Sequence, residues 1–414
     1  MKNDTRAGAR TNVALIRWLT YLMFMMFAMT TDSVGVIIPE VIRRFHLSMA
    51  TASSFQYATM LGIAIAGLLL GFLADRIGRK STIVLGLVLF TLDSYLFAAG
   101  DRFAYFIALL LVSGAAIGIF KTGALALIGD ISESTTRHTS TMNMVEGFFG
   151  VGSIIGPAIV IRLLGAGIAW QWLYVIVGTV CASLVLIALL VRYPASRRSD
   201  VESVNLRRTL KMTRDPYVLG FSLIAFVYVA TECAIYVWMP TLLERYHGSA
   251  TLLATYALSV FFVLRAAGRF LGGWLLGRLS WAGVLTLMSG CILACFVGSA
   301  LGGVGVAVYL LPASGLFMSV IYPTVNSKGI SCFEPAEHGA VAGVILFFTC
   351  AGAAIGPFAM GLVSDSFGSP RYGFYLATAY AAALFALLAA NQLRDPARVR
   401  LASRDLSGLA AAHS

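Results

Sequence analysis

Long apolar runs alternate with short polar gaps along the whole chain. A helix needs about 20 mostly apolar residues to cross a bilayer. Runs of about that length lie at 13–38, 51–74, 81–100, 103–128, 143–164, 168–192, 217–241, 250–277, 281–301, 304–326, 340–363 and 372–393. The pattern predicts an all-α integral membrane protein of twelve spans: a six-helix bundle in residues 1–193, a linker over 194–215 and a second six-helix bundle in 216–414.

Composition and charge agree with a membrane protein. The chain is 59% hydrophobic and 12% charged, whereas a soluble domain is about half apolar and about a quarter charged. The net charge of +11 comes from Lys and Arg clustered in the termini and alternate gaps, which follows the positive-inside rule rather than a nucleic-acid surface. We therefore expect a multi-pass monomer in a bacterial inner (plasma) membrane, with both termini cytoplasmic. The six cysteines show no metal-ligand spacing, so no metal or cofactor is expected.

Two sequence matches at one offset predict an internal repeat. The end of span 1, IIPEVIRRFHLS (37–48), matches the end of span 7, WMPTLLERYHGS (238–249), and FFGVGSIIGP (148–157) in span 5 matches FFTCAGAAIGP (347–357) in span 11. Both matches are about 200 residues apart. They predict a duplicated six-helix unit in parallel orientation, with a substrate site between the halves near the bilayer midplane and transport by rocking of one half against the other.

The gap between spans 2 and 3, GFLADRIGRK (71–80), resembles the signature loop of the major facilitator superfamily. The matching positions are Gly71, Asp75, Arg76, Gly78, Arg79 and Lys80. We expect the glycines to permit a tight turn, Asp75 to lie at a helix N-terminus and the basic residues to lie at lipid headgroups. Span 5 carries a second motif of this kind, for which we predict a role in helix packing: Gly147, Gly150, Gly152 and Gly156.

Segments of the second half narrow the resemblance. RAAGRFLGGWLLGRL (265–279), SGLFMSVIYPTVNSKGI (314–330) and YVATECAIYVW (228–238) resemble helices 8, 10 and 7 of the fucose/glucose–galactose:proton symporters, and Glu232 falls where the glucose–galactose members carry a glutamate. The resemblance implies a transporter rather than an enzyme. It would take up a small polar solute, such as a monosaccharide, together with protons by alternating access.

The first half departs from that family at three positions. Lys121 precedes Thr122 where fucose-type members have a glutamate–threonine step. Gly35 holds the family's aspartate position, so that Asp32 lies seven residues before Pro39. Glu146 stands where the family has a glutamine. These departures predict a pocket that mixes cations and acids. A sugar acid or other small organic anion is therefore a variant cargo, and drug or metabolite efflux by proton antiport is the alternative function.

Ionisable residues inside spans are candidate site residues because each costs several kcal/mol there unless it is paired or hydrated. The predicted substrate-binding residues are Lys121, Arg265, Asp32, Glu232, Tyr236, Trp238, Tyr322 and Asn326. The predicted proton-coupling residues are Asp32, Glu146 and Glu232, since all five histidines fall in loops or termini. Alternatives stay open for two of these residues. Lys121 either meets substrate or pairs with Asp32 or Glu146, and Glu146 is either a gate residue or hydrated. We expect Arg269 and Asp93, which also lie inside spans, to be structural.

Overall fold

The computed structural model describes residues 12–70, 73–131, 135–194, 212–334, 337–397 and 400–401. These residues form twelve long helices and no strand. The helices are α1 Val13–Phe45, α2 Ser54–Leu70, α3 Arg79–Ala99, α4 Phe103–Asp130, α5 Thr135–Gly165, α6 Trp172–Leu190, α7 Pro216–Leu243, α8 Ala257–Leu276, α9 Trp281–Gly302, α10 Val304–Ser331, α11 His338–Ser366 and α12 Pro370–Arg394. All but α2, which has 17 residues, are long and apolar enough to cross a membrane. The predicted twelve-helix fold is confirmed.

The helix pairs in extensive contact follow the predicted duplication. In the first half α1 packs on α5, α2 and α3 on α4, and α3 on α6. In the second half α7 packs on α11, α8 and α9 on α10, and α9 on α12. Each pair in one half thus has its counterpart six helices later. Of the predicted linker, residues 195–211 lie outside the described part of the chain.

Glycines bring α1 against α5 and α7 against α11. A side chain on Gly152 or Gly156 would overlap the carbonyl oxygens of Met25 and Met29 in α1. In the second half Gly352 and Gly356 lie against Phe226 and Ala230 of α7 in the same way. These contacts support the predicted packing role for two of the four span-5 glycines, whereas a Cβ on Gly147 or Gly150 would meet no atom within 4 Å.

Within the described residues, three of the long helices are interrupted where the hydrophobic pattern predicts continuous spans, and breaks at Ser53 and Tyr256 separate a short helix from the start of α2 and of α8. The first break, in α1, is at Asp32 and Ser33. A π-helical segment, Ala234–Trp238, interrupts α7, and α10 breaks at Ser319 and Val320. The breaks in α1 and α7 occupy equivalent places in the repeat, each shortly before a proline. A proline lacks an N–H and so leaves the carbonyl four residues earlier without its helical partner.

The halves are in contact along α5 and α8, and they close against each other at one end of the bundle. We call the end at which the described chain enters α1 and leaves α12 the terminal end, and the opposite one the far end. At the far end α1 contacts α7, and α2 contacts α11. There Asp365 of α11 accepts hydrogen bonds from the N–H groups of Met49 and Ala50, which begin the short helix before α2, at 2.8 Å each. Among the described residues α4 and α10 make extensive contacts only within their own halves. The halves are therefore closed against each other at the far end.

The signature loop ties helices of the first half together at the terminal end. Gly78 has a φ of 88°, which confirms that the turn needs glycine. Arg79 forms an ion pair with Asp130 of α4 at 3.0 Å, and the Lys80 ammonium donates to the carbonyls of Leu189 and Val191 at 2.8 Å each.

The expected position of the basic residues at lipid headgroups stays a prediction. Arg79 and Lys80 also neutralise the C-terminal ends of α4 and α6, where cations are favoured. Arg76 is exposed. Gly71 and the side chain of Asp75 lie outside the described residues.

Candidate functional site

A buried ion pair lies at the centre of the second half. The guanidinium Nη2 of Arg265 in α8 lies 2.7 Å from Oε1 of Glu232 in α7, and these side chains are 23% and 9% exposed. The Tyr228 hydroxyl, one helical turn before Glu232, lies 3.0 Å from the same oxygen. Buried Nε of Arg265 has no hydrogen-bond partner among the described residues. The clamp predicted for a substrate carboxylate thus already holds a carboxylate of the protein.

Asp32 is the acid of the first half that faces this pair. It is half-buried at the break in α1. The Ser153 hydroxyl of α5 donates to its Oδ2, and the Thr31 hydroxyl lies 3.3 Å from Oδ1. The charges of Arg265 and Glu232 both act on it. The two acids therefore form one electrostatic cluster across the interface between the halves.

Lys121 lies on α4, nearer the terminal end. Its side chain is half-buried, and its ammonium lies 5.8 Å from the ring centroid of Phe149 in α5, within the range of a cation–π contact. Its charge also acts on the Cys350 thiol of α11, in the opposite half. In the described part of the chain Lys121 makes no ion pair. Neither of the alternative pairings, with Asp32 or with Glu146, is formed in this conformation.

Glu146 pairs instead with Arg269. Oε2 of Glu146 in α5 lies 3.4 Å from Nη2 of Arg269 in α8, so this ion pair joins the two halves on the terminal side of the central cluster. The Glu146 side chain is 55% exposed. An exposed pair of this kind contributes at most about 1 kcal/mol. Its position between the halves agrees with the gate alternative for Glu146.

The predicted aromatic and amide residues lie in different surroundings. Tyr322 stacks on Tyr228 at a centroid distance of 6.3 Å, and Asn326 follows one turn later on α10, half-buried.

The Tyr236 hydroxyl accepts a hydrogen bond from Nε2 of Gln56 at 3.1 Å across the far-end closure. Trp238 is 2% exposed, and its indole N–H donates to the carbonyl of Pro357. Trp238 therefore presents no polar atom to the cavity in this conformation.

The sequence from residue 20 to 357 matches the model of one family of membrane proteins, the Major Facilitator Superfamily. The chain belongs to that superfamily. The match covers most of both six-helix halves, and the members are transporters.

Similar proteins agree with this membership. The L-fucose-proton symporter of Escherichia coli (strain K12) is 23% identical over 400 residues, covering 88% of this chain and 90% of that protein. The crystal structure of the superfamily transporter FucP in the outward conformation has a TM-score of 0.66 at 22% identity, over 94% of this chain and 99% of that one. The nucleoside transporter NupG has a TM-score of 0.72 at 13% identity, over 92% and 98%. At these identities the structures show the shared fold.

Two hydroxyl residues of this facilitator's central cluster were missed by sequence reasoning, Ser153 and Tyr228. Hydroxyls are common in membrane helices and often bond only to the backbone of the preceding turn. Signals were nevertheless available. Tyr228 stands four residues before Glu232, a spacing that places two side chains on one helix face. Ser153 immediately follows Gly152, which faces α1.

Asp93 lies apart from the cluster. It is buried within the first half, where Oγ of Ser113 in α4 donates to its carboxylate at 2.7 Å. This agrees with the structural role expected for it.

Proposed function

We propose that this facilitator is a secondary active symporter that takes up a small organic anion, such as a sugar acid, together with a proton. Uptake proceeds by rocking of the halves 1–193 and 216–414 in a bacterial inner membrane with both termini cytoplasmic. In that orientation the terminal end faces the cytoplasm, and the conformation closed at the far end is the inward-facing one.

The observation that carries the proposal is the state of Lys121. Arg265 is neutralised by Glu232 and Arg269 by Glu146, whereas Lys121 has no carboxylate partner among the described residues. A lysine inside a span costs several kcal/mol unless it is paired or hydrated. A carboxylate on the cargo would supply the missing partner.

The proton has two candidate acceptors in the central cluster. Asp32 and Glu232 lie in one electrostatic cluster at the interface between the halves. If either carboxylate takes up a proton, the cluster gains one positive charge and attracts an anion more strongly. Proton and anion would then enter together without net charge movement. A neutral monosaccharide would not need Lys121 unpaired, and an efflux transporter for apolar compounds would not need a site this rich in charge.

Reconstituted protein tests the proposal directly. Proteoliposomes would be given radiolabelled D-galacturonate or L-fucose, with and without an inward proton gradient. We expect galacturonate uptake to be stimulated by the gradient, lost in Lys121→Ala and retained in the charge-conserving Lys121→Arg. Uptake of the neutral sugar that is unaffected by Lys121→Ala would refute an anionic cargo. Uptake indifferent to the gradient would refute symport, and stimulated release of preloaded compound would indicate antiport.

A further inference from the structure

One phenol group in the central cluster has two acceptors and a single hydrogen. The Tyr228 hydroxyl lies 3.0 Å from Oε1 of Glu232 and 2.8 Å from the carbonyl oxygen of Met318 in α10. A carbonyl oxygen and an ionised carboxylate can only accept hydrogen bonds. The hydroxyl therefore cannot satisfy both acceptors fully while Glu232 is ionised.

Protonation of Glu232 removes this conflict. An ionised carboxylate is the stronger acceptor because the hydrogen bond is charge-assisted, and it draws the phenol hydrogen away from Met318. Once Glu232 carries a proton it is a weaker acceptor. It can also donate to the phenol oxygen, while the phenol donates to Met318. The phenol keeps its own hydrogen throughout, and the added proton comes from water in the cavity and stays on the Glu232 carboxyl group.

The second acceptor, the carbonyl oxygen of Met318, lies at the break in α10. Met318 is the last residue of the first helical segment of α10, before the interruption at Ser319 and Val320. Carbonyls at a helix end lack intrahelical donors, so the phenol is a substantial partner for this one. Two residues earlier in the same segment, the Leu316 carbonyl lies against Gly268 of α8. Gly268 is only three residues after Arg265. The two residues that contact Glu232, Arg265 and Tyr228, therefore both belong to helices that touch α10 beside its break.

We propose that Tyr228 is a positioning residue that couples the protonation of Glu232 to the backbone of α10 at its central break. When Glu232 is ionised, the Tyr228 hydroxyl donates to the carboxylate, and the α10 backbone at the break lacks this hydrogen bond. When Glu232 is neutral, the hydroxyl donates to the Met318 carbonyl and stabilises the α10 backbone at the break. That this proton is the one transported with the cargo rests on the proposed function.

Other charged and titratable groups surround this switch and set its electrostatic background. Arg265 forms the ion pair with Glu232, and the charge of Arg269 reaches Tyr228. Groups whose charges interact with that of Glu232 come from three further places: Asp32 of α1, Cys233 and Tyr236 of α7, and Tyr322 of α10. None of them bridges Glu232 to α10 by hydrogen bonds as Tyr228 does, since Tyr322 interacts with Thr349.

A double-mutant cycle read by amide hydrogen exchange at the break tests the coupling without any cargo. Exchange of the amides of residues 318–322 and 324 would be measured at one pH in detergent for the wild type, Glu232→Gln, Tyr228→Phe and the double variant. In the Tyr228 background we expect Glu232→Gln, which mimics the neutral acid, to slow exchange by about three- to tenfold, the effect of one net hydrogen bond. In the Tyr228→Phe background it should change exchange by less than about twofold.

The control is Tyr322→Phe, which removes the hydroxyl of the neighbouring ring without touching Glu232 or Met318. It should leave the response to Glu232→Gln intact. Equal responses with and without the Tyr228 hydroxyl would overturn the proposal. If Tyr228→Phe does not fold, an infrared pH-difference spectrum of the wild type decides. A protonated-carboxyl band that disappears in Glu232→Gln, and that is accompanied by an amide band change for α10, supports the coupling. The acid band without the amide change overturns it.

Proton-driven transport separates this proposal from the previous one. With radiolabelled D-galacturonate as probe, Tyr228→Phe should retain exchange across equal concentrations and lose about 5- to 150-fold in gradient-driven accumulation, the usual range of a coupling between two sites. A wild type that ignores the proton gradient defeats the proposed symport but leaves the hydrogen-exchange cycle meaningful. A proton-driven wild type with an equally proton-driven Tyr228→Phe defeats the coupling role.

Discussion

Replacing Gly35 with alanine should open the far end of the transporter. Gly35 lies where α1 crosses α7, facing the carbonyl of Tyr236. Pro240 follows Tyr236 by four residues and, lacking an N–H, leaves that carbonyl without its helical partner. The two helices can approach this closely because Gly35 carries no side chain. The family's aspartate position therefore serves backbone contact between the halves in this chain.

The size of the perturbation follows from the geometry. A Cβ on Gly35 would overlap the Tyr236 carbonyl oxygen and lie 2.8 Å from its carbonyl carbon and 3.2 Å from the Val237 oxygen. Non-bonded heavy atoms prefer about 3.5–4.0 Å, so α1 and α7 must separate by roughly 2 Å at this crossing. Such overpacking costs about 1–3 kcal/mol. Because the clash exists only while the far end is closed, the closed population should fall about 5- to 150-fold relative to open states.

A native cysteine reports this opening. Cys233 is fully buried, and its thiol lies 2.7 Å from the Tyr236 hydroxyl beside the closure. Proteoliposomes would be treated with a membrane-impermeant maleimide, and alkylation of the Cys233 peptide would be quantified by mass spectrometry against the other cysteines. We expect Gly35→Ala to raise the Cys233 labelling rate at least about fivefold, in proportion to the lost closed population.

The matched control is Gly67→Ala in α2, where an added Cβ would meet no atom within 4 Å. It should label like the wild type. Cys233 labelling in Gly35→Ala that equals the wild type would refute the steric reasoning. Equal increases at Cys181 and Cys295, which are buried elsewhere, would indicate unfolding rather than opening.

Two further substitutions test the contacts that hold this conformation. Asp365→Asn removes the charge that caps the helix before α2 and should cost about 1 kcal/mol at this exposed site, which would appear as a severalfold rise in Cys233 labelling from the far side. Arg265→Ala leaves the buried Glu232 carboxylate without its partner and should lower the free energy of unfolding by about 3–5 kcal/mol. Adding Glu232→Gln should recover much of this loss, as measured by thermal unfolding. A double variant no more stable than Arg265→Ala would contradict the pairing.

The helices were predictable because length and apolar character alone decide which segments cross a bilayer. The repeat was predictable because Pro39 and Pro240, and the glycines of α5 and α11, recur at one offset. The glycines proved to be equivalent contacts with α1 and α7. The breaks in α1, α7 and α10 were not predictable from hydrophobicity, since apolar residues continue through each of them. Only the prolines that follow the three breaks, Pro39, Pro240 and Pro323, hint at them.

The partners of the charged residues were the part that the sequence left open. Glu232 and Arg265 are on different helices, and so are Glu146 and Arg269, so no spacing rule connects them. Lys121 had two acids within plausible reach and takes neither. Side-chain reach and helix rotation decide such pairings, and both depend on tertiary packing. The predicted spans therefore identified the charged residues that lie inside the membrane, but not which of them pair with each other.

The energetic preference for this conformation lies at the far end rather than at the ion pair near the terminal end. Arg269 and Glu146 are 31% and 55% exposed, and an exposed pair contributes at most about 1 kcal/mol. The far-end contacts are of a different kind: the Gly35 crossing, the two N–H groups bound by Asp365 and the Gln56–Tyr236 hydrogen bond. These contacts form together or not at all, because all of them require the same approach of the halves. Asp32 and Glu232 lie on α1 and α7 only a few residues from that closure, so the candidate site and the closure share the same two helices.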